Sequence, residues 1–228
     1  YPTIEYTLAD VGTHTYTITE TSEDGNGITV DTNTYIVTVE VTDNGDGTLI
    51  VTATDNAKAL DFVNTYAATG EIELTGTKTL VGRELAAGEF SFDLIDAGGK
   101  VIETATNDAE GKIKFEKQTY TTEDIGATYT YTVKEQTGDL AGVSYDAAAI
   151  TVKVEITDNG DGTLNVAKTT DSPEIAFTNT YSAEGAIILA GTKSLSGRAL
   201  KDGEFSFALY DESGIELQTA TNDANGSF

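Results

Sequence analysis

Cysteine, methionine and tryptophan are absent from this chain of 228 residues, and histidine occurs once, at His14. The lack of cysteine excludes disulfides and thiol catalysis. A single histidine leaves clustered Cys/His metal sites and Ser-His-Asp triads without their residues. Carboxylates are abundant, but no tryptophan is available to stack on a sugar ring, which argues against a glycoside hydrolase. We therefore expect no metal, no cofactor and no disulfide, and some other means of stabilisation.

Positive charge is also scarce. Thirteen Lys and Arg residues stand against 38 Asp and Glu residues, which gives a net charge of −25. Such a charge argues against nucleic acid or an anionic membrane surface as a partner. No initiator methionine, signal peptide, long apolar run or sorting signal is visible, so we interpret the chain as an internal fragment of a longer exported protein.

The segments that are present predict an all-β protein. EFSFDLID, TYTYTVKE and AITVKVEITD alternate apolar and polar residues with a period of two and are rich in Thr, Val, Ile and aromatic residues. VEVTDNGDGTLIV and VEITDNGDGTLNV predict hairpins whose Asn-Gly and Asp-Gly steps supply positive φ. The DNGDG segments at 43–47 and 158–162 place carboxylates near a turn but lack the other ligands of an EF-hand loop, which favours a turn over a calcium site. About seven strands per unit predict an immunoglobulin-like Greek-key β-sandwich.

An internal repeat of 115 residues organises the chain, and segments 76–111 and 191–226 share 22 identities in 36 ungapped positions. We interpret residues 1–67 as the C-terminal half of one repeat, 68–183 as a complete β-sandwich repeat, and 184–228 as the N-terminal half of the next. The linkers AATGE and SAEGA are too short for free flexibility. The predicted architecture is a tandem array of sandwich domains in an elongated rod.

Three polar residues of the complete repeat share the inward parity of their strands. Lys78 alternates with Leu80, Glu135 ends the series that contains Val133, and Asn179 lies in FTNTY between inward aromatic residues. Unpaired buried charges are costly, so these groups either satisfy one another or react.

Neighbouring positions in one core would allow a crosslinking reaction. Burial disfavours charge and so favours a neutral lysine amine, which is a nucleophile, beside a neutral carboxylic acid. We expect the Glu135 carboxyl to donate to the carboxamide oxygen of Asn179 and to move protons while the Lys78 amine adds and ammonia leaves. The product is a Lys78–Asn179 isopeptide bond. Two other interpretations are a hydrogen-bonded polar cluster without reaction, and a strand parity shifted by one that turns Lys78 to solvent.

The motifs GTKTL, GREL, GEFSFDL, YTVKE and FTNTY resemble the isopeptide-linkage domain that is repeated in streptococcal pilins and related Gram-positive surface adhesins. In that family a first-strand lysine is joined to a last-strand asparagine, and a glutamate promotes the reaction. The resemblance implies these roles for Lys78, Asn179 and Glu135. It implies the same for Glu20 and Asn64 at one end of the chain and for Lys193 at the other.

The function that this resemblance implies is a structural stalk of a pilus or fibrillar adhesin, anchored at the cell wall outside a Gram-positive cell. Self-crosslinking is a single turnover, so the protein is not expected to be an enzyme. Expected partners are neighbouring repeats or other copies of the chain, with any host or bacterial ligand bound through other domains. The rival interpretation is a carbohydrate- or protein-binding adhesin module with a ligand site on its loops.

The two terminal halves allow two interpretations. In the first, the front half of one molecule completes the back half of another in a head-to-tail filament, with Lys193 linked to Asn64 and Glu20 assisting. Alternatively, the ends are only the limits of a piece of a longer array. Of the other repeated residues, Arg83 and Arg198 could pair with a local carboxylate, and a packing or loop-fixing role is favoured over ligand binding. His14 is expected on the solvent side of a strand.

Overall fold

The computed structural model describes residues 2–53 and 60–228, and they form two compact units, residues 1–182 and 183–228. Both units are built from strands, which confirms the predicted all-β class. The domain boundaries at 67/68 and 183/184 stay a prediction. The strands of the first unit are β1 (Gly12–Thr19), β2 (Ile28–Thr29), β3 (Thr34–Asp43), β4 (Leu49–Ala53), β5 (Thr65–Tyr66), β6 (Thr69–Ile72), β7 (Thr75–Val81), β8 (Ser91–Ile95), β9 (Val101–Thr106), β10 (Lys112–Lys114), β11 (Gln118–Thr121), β12 (Thr128–Glu135), β13 (Val143–Ser144), β14 (Ala149–Asp158), β15 (Leu164–Lys168) and β16 (Ala176–Tyr181). The strands of the second unit are β17 (Ser206–Tyr210) and β18 (Glu216–Thr221).

Helix is confined to single 3₁₀ turns in the described parts of the chain. These turns are Leu8–Asp10 and Thr122–Asp124, each closed by a capping aspartate. No helix among the described residues has the length and apolar character needed to cross a membrane.

Residues 69–182 form a β-sandwich of two main sheets. The first sheet has five strands in the order β15-β14-β12-β8-β9, and the second has four in the order β10-β7-β16-β13. The alternating strands turn one face of each sheet into a shared core, as the period-two pattern requires. The most deeply buried large apolar side chains of this core are Phe92, Leu94, Ile113, Phe115, Val133, Val152, Val154, Ile156 and Phe177.

The strand that carries the lysine and the strand that carries the asparagine are neighbours. β7 and β16 pair in parallel, with Lys78 opposite Phe177 and Leu80 opposite Asn179. Because the register offset between Lys78 and Asn179 is even, both side chains lie on the same face of the sheet. β12 belongs to the facing sheet, where Glu135 pairs with Phe92 of β8.

Residues 2–67 contain the same strands as the second half of the sandwich, but fewer of their neighbours. β1, β3 and β4 form a three-stranded antiparallel sheet, and β2 pairs with β5. The β3 and β4 positions recur in β14 and β15 after 115 residues. A smaller buried cluster of three residues, Val37, Val39 and Val41, lies on one face of the sheet.

The second unit resembles the first half of the sandwich. β17 and β18 form an antiparallel hairpin with a register shift at Leu209/Tyr210, which repeats the shift at Leu94/Ile95 between β8 and β9. Leu189, the counterpart of Leu74, is 59% exposed, whereas Leu74 is 3% exposed. The segment that is buried in the complete sandwich is therefore open in this unit.

Both DNGDG segments form hairpin turns, as predicted. The turn at 158–162 joins β14 to β15, and the turn at 43–47 joins β3 to β4. Within the first of these turns, Asp158 accepts from the Gly160 amide and Asp161 accepts from the Thr163 amide. These carboxylate oxygens therefore satisfy the backbone of their own turn.

Two other sequence interpretations have clear outcomes. Arg83 pairs with Glu89, and Arg198 pairs with Glu204 in the same way, which agrees with a loop-fixing role for both arginines. The solvent-side position expected for His14 is wrong. His14 is half-buried, its Nε2 lies 2.7 Å from the Asp10 carbonyl oxygen, and its ring centroid lies 5.2 Å from that of Tyr6. It shares the parity of the inward residues of β1, where an imidazole tolerates partial burial because it finds a backbone partner.

Candidate functional site

Lys78 and Glu135 form an ion pair inside the sandwich. The lysine Nζ donates to Glu135 Oε2 at 2.7 Å, and neither side chain has any exposed surface. β7 places the amine on the core face of one sheet, and the last residue of β12 places the carboxylate on the core face of the other. The strand parity predicted from the sequence therefore holds at both residues.

Asn179 joins the same cluster from β16, where it is fully buried. Its Nδ2 donates to Glu135 Oε1 at 2.7 Å, and its Oδ1 accepts from the Asp146 backbone amide at 2.7 Å. We expected the carboxyl of Glu135 to donate to the carboxamide oxygen, and the structure differs. The backbone amide can only donate, so it takes the carboxamide oxygen and leaves the NH₂ group to face the carboxylate.

The amine of Lys78 lies among aromatic rings. Its Nζ is 4.6 Å from the centroid of Phe90 and 5.8 Å from that of Phe92. Burial lowers the pKa of Lys78, and the nearby carboxylates of Glu135 and Asp146 oppose this effect without reversing it. The environment thus favours the neutral amine more than water does.

Asp146 is a residue that sequence reasoning missed. Its Oδ2 accepts from the Thr178 amide at 2.9 Å and its Oδ1 from the Ala148 amide at 2.9 Å. These backbone hydrogen bonds, that from Thr178 first, hold the pKa of Asp146 below its usual range. The carboxylate therefore holds its loop against β16, one residue before Asn179, and this places the Asp146 backbone N–H at the carboxamide oxygen. We call this attachment of the loop by its aspartate the aspartate clip.

A signal for Asp146 was present in the repeat. Asp31 lies 115 residues earlier and is followed, like Asp146, by a small or polar segment before a long strand. Comparison of the two halves of the repeat would have found this pair, but its role depends on a backbone N–H that no side-chain motif encodes.

In the segment 2–67, Asn64 makes the same hydrogen bonds as Asn179, and no lysine among the described residues of this segment takes part in them. Asn64 Nδ2 donates to Glu20 Oε1 at 2.8 Å, and the Asp31 amide donates to Asn64 Oδ1 at 2.8 Å. Asp31 also accepts from the amides of Val63 and Asn33 at 2.8 and 2.7 Å. Glu20 is half-buried and Asn64 is exposed. We call this cluster of Glu20, Asp31 and Asn64 the open half-site.

Lys193 lies in the second unit in surroundings like those of Lys78. Its backbone amide donates to the Gly226 carbonyl at 2.6 Å, as that of Lys78 does to Gly111 at 2.6 Å. Its Nζ lies 4.7 Å from the ring centroid of Phe205, the counterpart of Phe90. Unlike Lys78, it is half-buried.

The complete cluster has the parts of an acyl-transfer site. An amine, an acid–base group and a carboxamide meet, and Glu135 uses one oxygen for the amine and the other for the carboxamide nitrogen. The Asp146 N–H lies where negative charge develops when a nucleophile adds to the carboxamide carbon. No group of three or more acidic or histidine side chains suited to a metal occurs in residues 2–53 and 60–228.

Comparison with known proteins identifies a family. The model of the family described as FctA, a Spy0128-like isopeptide containing domain, matches residues 1–67 and 74–182, well over half of the chain. The chain is similar in structure to the major pilin protein (T-13) of Streptococcus pyogenes, with a TM-score of 0.35 and 16% identity over 71% of this chain and 76% of that one. A likeness of this size carries no further argument. No curated protein matches the sequence.

Proposed function

Because this chain belongs to the family of Spy0128-like isopeptide-containing domains, as its motifs predicted, we propose that residues 68–183 crosslink themselves through a Lys78–Asn179 isopeptide bond. We propose that such domains form the shaft of a pilus or fibrillar adhesin outside a Gram-positive cell. The observation that carries the proposal is the carboxylate of Glu135, buried between the amine of Lys78 and the carboxamide nitrogen of Asn179.

The reaction follows from these contacts. Glu135 takes a proton from the Lys78 ammonium, and the neutral amine adds to the carboxamide carbon of Asn179. The oxyanion that forms accepts from the Asp146 N–H. Glu135 returns its proton to the carboxamide nitrogen, and the bond between this nitrogen and the carbon breaks. The departing ammonia takes one of the two protons of the linking nitrogen, which keeps the other as the amide N–H. An ammonium and a carboxamide thus become an amide and an ammonium ion, and no external substrate turns over.

The bond would stabilise the sandwich and carry load. It would close a loop of roughly 100 residues, which is worth about 4 to 5 kcal/mol by the chain-entropy argument for crosslinks. β7 and β16 are hydrogen-bonded neighbours near the two ends of the domain. Tension that enters on one of these strands would therefore pass to the other through the bond while the rest of the sandwich stays folded.

Intact mass tests the bond. The wild-type chain is expected to be lighter than its sequence by one ammonia, and Glu135→Ala or Lys78→Ala should restore the full calculated mass. Glu20→Ala is the matched control, because removing the corresponding glutamate of the open half-site should leave the loss of ammonia from the complete site unchanged. A wild-type chain of full calculated mass would sink the proposal.

We further propose that the two terminal halves complement each other between molecules. The open half-site has the glutamate, the asparagine and the backbone donor but no lysine, and the Nζ of Lys193 lies beside Phe205 as that of Lys78 lies beside Phe90. Residues 4–7, the counterpart of β11, border a groove lined by Ile4, Tyr6, Leu49 and Val51. In the complete sandwich β11 pairs with β6, whose counterpart is residues 184–187. The groove therefore matches a segment that the second unit offers.

Mixing two variants tests complementation. Lys193→Ala keeps the acceptor Asn64, and Asn64→Ala keeps the donor Lys193, so neither should multimerise covalently alone. Their mixture is expected to give a covalent dimer on a denaturing gel, whereas the wild-type chain gives a ladder. A wild-type chain that stays monomeric under denaturing conditions at all concentrations contradicts complementation and leaves the Lys78–Asn179 bond unaffected.

A further inference from the structure

The DNGDG turn at 158–162 contacts the half-repeat that precedes the sandwich. Tyr66 donates through its hydroxyl to Asp158 Oδ1 at 2.6 Å, and the Thr69 amide donates to the Gly162 carbonyl at 3.2 Å. The Tyr66 bond joins the turn to β5, the closing strand of the preceding half-repeat, and the Thr69 bond holds the turn against β6 of its own sandwich.

The two backbones meet at a pair of glycines. A Cβ on Gly162 would lie 2.8 Å from the Gly27 Cα, and a Cβ on Gly27 would lie 2.6 Å from the Gly162 Cα. Both residues also have positive φ, +86° and +80°. Only glycine allows the two backbones to approach so closely, so the contact depends on a glycine at both positions. We call this contact between Gly27, Tyr66 and the 158–162 turn the joint.

The far end of the sandwich carries the same surface without an occupant among the described residues. Gly142 and Tyr181 are the counterparts of Gly27 and Tyr66. The Ser182 amide donates to the Gly142 carbonyl at 2.9 Å, as that of Ala67 does to Gly27 at 2.8 Å. A Cβ on Gly142 would contact Ser182 and Tyr181, just as a Cβ on Gly27 would contact Ala67 and Tyr66. The Gly27 position also contacts Gly162 of the turn, and the described residues nearest to Gly142 include no such turn residue.

The matching turn is also open in the described structure. In the Asp43–Gly47 turn, a Cβ on Gly45 or Gly47 would have nothing within 4 Å. Gly47 has φ +87°, against +86° for its counterpart Gly162. The 43–47 turn therefore resembles the 158–162 turn in the backbone angle of its last glycine, and the surface around Gly142 and Tyr181 resembles that around Gly27 and Tyr66.

We propose that the surface around Gly142 and Tyr181, the distal seat, binds the Asp43–Gly47 turn of a second copy of this chain. The Tyr181 hydroxyl donates to the Asp43 carboxylate, and Gly142 packs on Gly47, as in the joint within the chain. Arg83, which pairs with Glu89, packs on the Tyr181 ring with its guanidinium 5.0 Å from the ring centroid. The contact between turn and seat deepens the proposed head-to-tail filament, but it is noncovalent and needs neither Lys193 nor Asn64.

Hydrogen exchange by mass spectrometry, measured from micromolar to millimolar chain concentration, tests the seat in the Lys193→Ala variant. Amides in 43–48 and 141–143 are expected to exchange more slowly as concentration rises. Tyr181→Phe removes one hydrogen bond and should weaken the apparent association by about fivefold. Tyr66→Phe is the matched control, since it loosens only the joint within the chain and leaves the concentration dependence unchanged.

The outcomes separate the seat from complementation. Protection confined to residues 4–7 and 184–189 overturns the seat and supports complementation. Protection at 43–48 and 141–143 in a chain whose wild type forms no covalent multimers supports the seat and overturns complementation. Exchange that is independent of concentration in all four segments overturns the seat.

Discussion

The complete site and the open half-site contain the same hydrogen bonds in opposite environments. In the first, Asn179 is fully buried, whereas in the second its counterpart Asn64 is exposed. Yet each asparagine donates to its glutamate and accepts from an aspartate backbone amide, at distances of 2.7 to 2.8 Å. The comparison shows that the acceptor geometry is built locally, by the clip of Asp146 or Asp31, and does not require the core.

What the open half-site lacks is the lysine and the rest of the first half of the sandwich. In the complete site the neighbouring strand β7 supplies Lys78, and Phe90 and Phe92 keep water from its amine. Burial, which lowers the pKa of the lysine, therefore comes only with the assembled domain. In the complementation that we propose, the open half-site would be a preformed acceptor and Lys193 a donor that becomes buried on docking.

The largest effect is expected from removing the acid–base group of one site at a time. Glu135→Gln should abolish the loss of ammonia and lower the free energy of unfolding of the sandwich by about 4 to 5 kcal/mol, because the loop is no longer closed. Glu20→Gln should change neither. Intact mass and guanidinium unfolding measure both effects, and equal stability of the two variants would contradict a covalent bond in the complete site.

A smaller difference in stability is expected between variants of Leu74, which is buried, and of its exposed counterpart Leu189. Leu74→Ala should destabilise the sandwich by about 2 to 5 kcal/mol, because it empties a core position. Leu189→Ala is expected to leave the unfolding of the sandwich unchanged and to reduce the yield of covalent multimers. Denaturant unfolding and gel densitometry check the two, and an equal loss of stability in both variants would remove the distinction between closed and open halves.

Loosening the aspartate clip should slow the reaction without preventing it. Asp146→Asn loses one of two accepted backbone bonds, so misplacement of the N–H should slow bond formation about ten- to a hundredfold. Loss of the Asp146 charge lowers the lysine pKa further, which favours reaction, but this charge acts more weakly than burial or Glu135. A time course of intact mass after pulsed expression measures the rate. Asp31→Asn should leave this rate unchanged, and equal slowing by both variants would refute a local clip.

The smallest effect concerns pH in a chain that cannot react. In Asn179→Ala the lysine stays free, and its pKa is lower in the folded than in the unfolded chain because of burial. The unfolded chain then binds more protons, so stability should rise as pH increases from the folded toward the unfolded pKa of Lys78. Chemical denaturation at several alkaline pH values measures the rise. The double variant Lys78→Met with Asn179→Ala should lack it, and an equal rise in both would assign it to other groups.

Sequence reasoning reached much of this site because its main residues break a simple pattern. The parity of Lys78, Glu135 and Asn179 was readable because strand side chains alternate strictly, and the burial of all three follows it. The orientation of the Asn179 carboxamide was not readable, because it depends on which donor reaches its oxygen. The half-buried position of His14 was not predicted, because the carbonyl oxygen beside its Nε2 belongs to Asp10. That residue ends the 3₁₀ turn before the strand, which the strand pattern does not describe.

The sequence by itself determined the all-β class, the repeat of 115 residues and the identities of the lysine, glutamate and asparagine, since these depend on composition, period and local alternation. Tertiary structure decided which groups meet. The parallel pairing of β7 with β16, the Asp146 N–H at the carboxamide oxygen and the Gly27–Gly162 contact join residues 33 to 135 positions apart. Such contacts are set by sheet pairing and close packing across the fold, and no local pattern of residues encodes them.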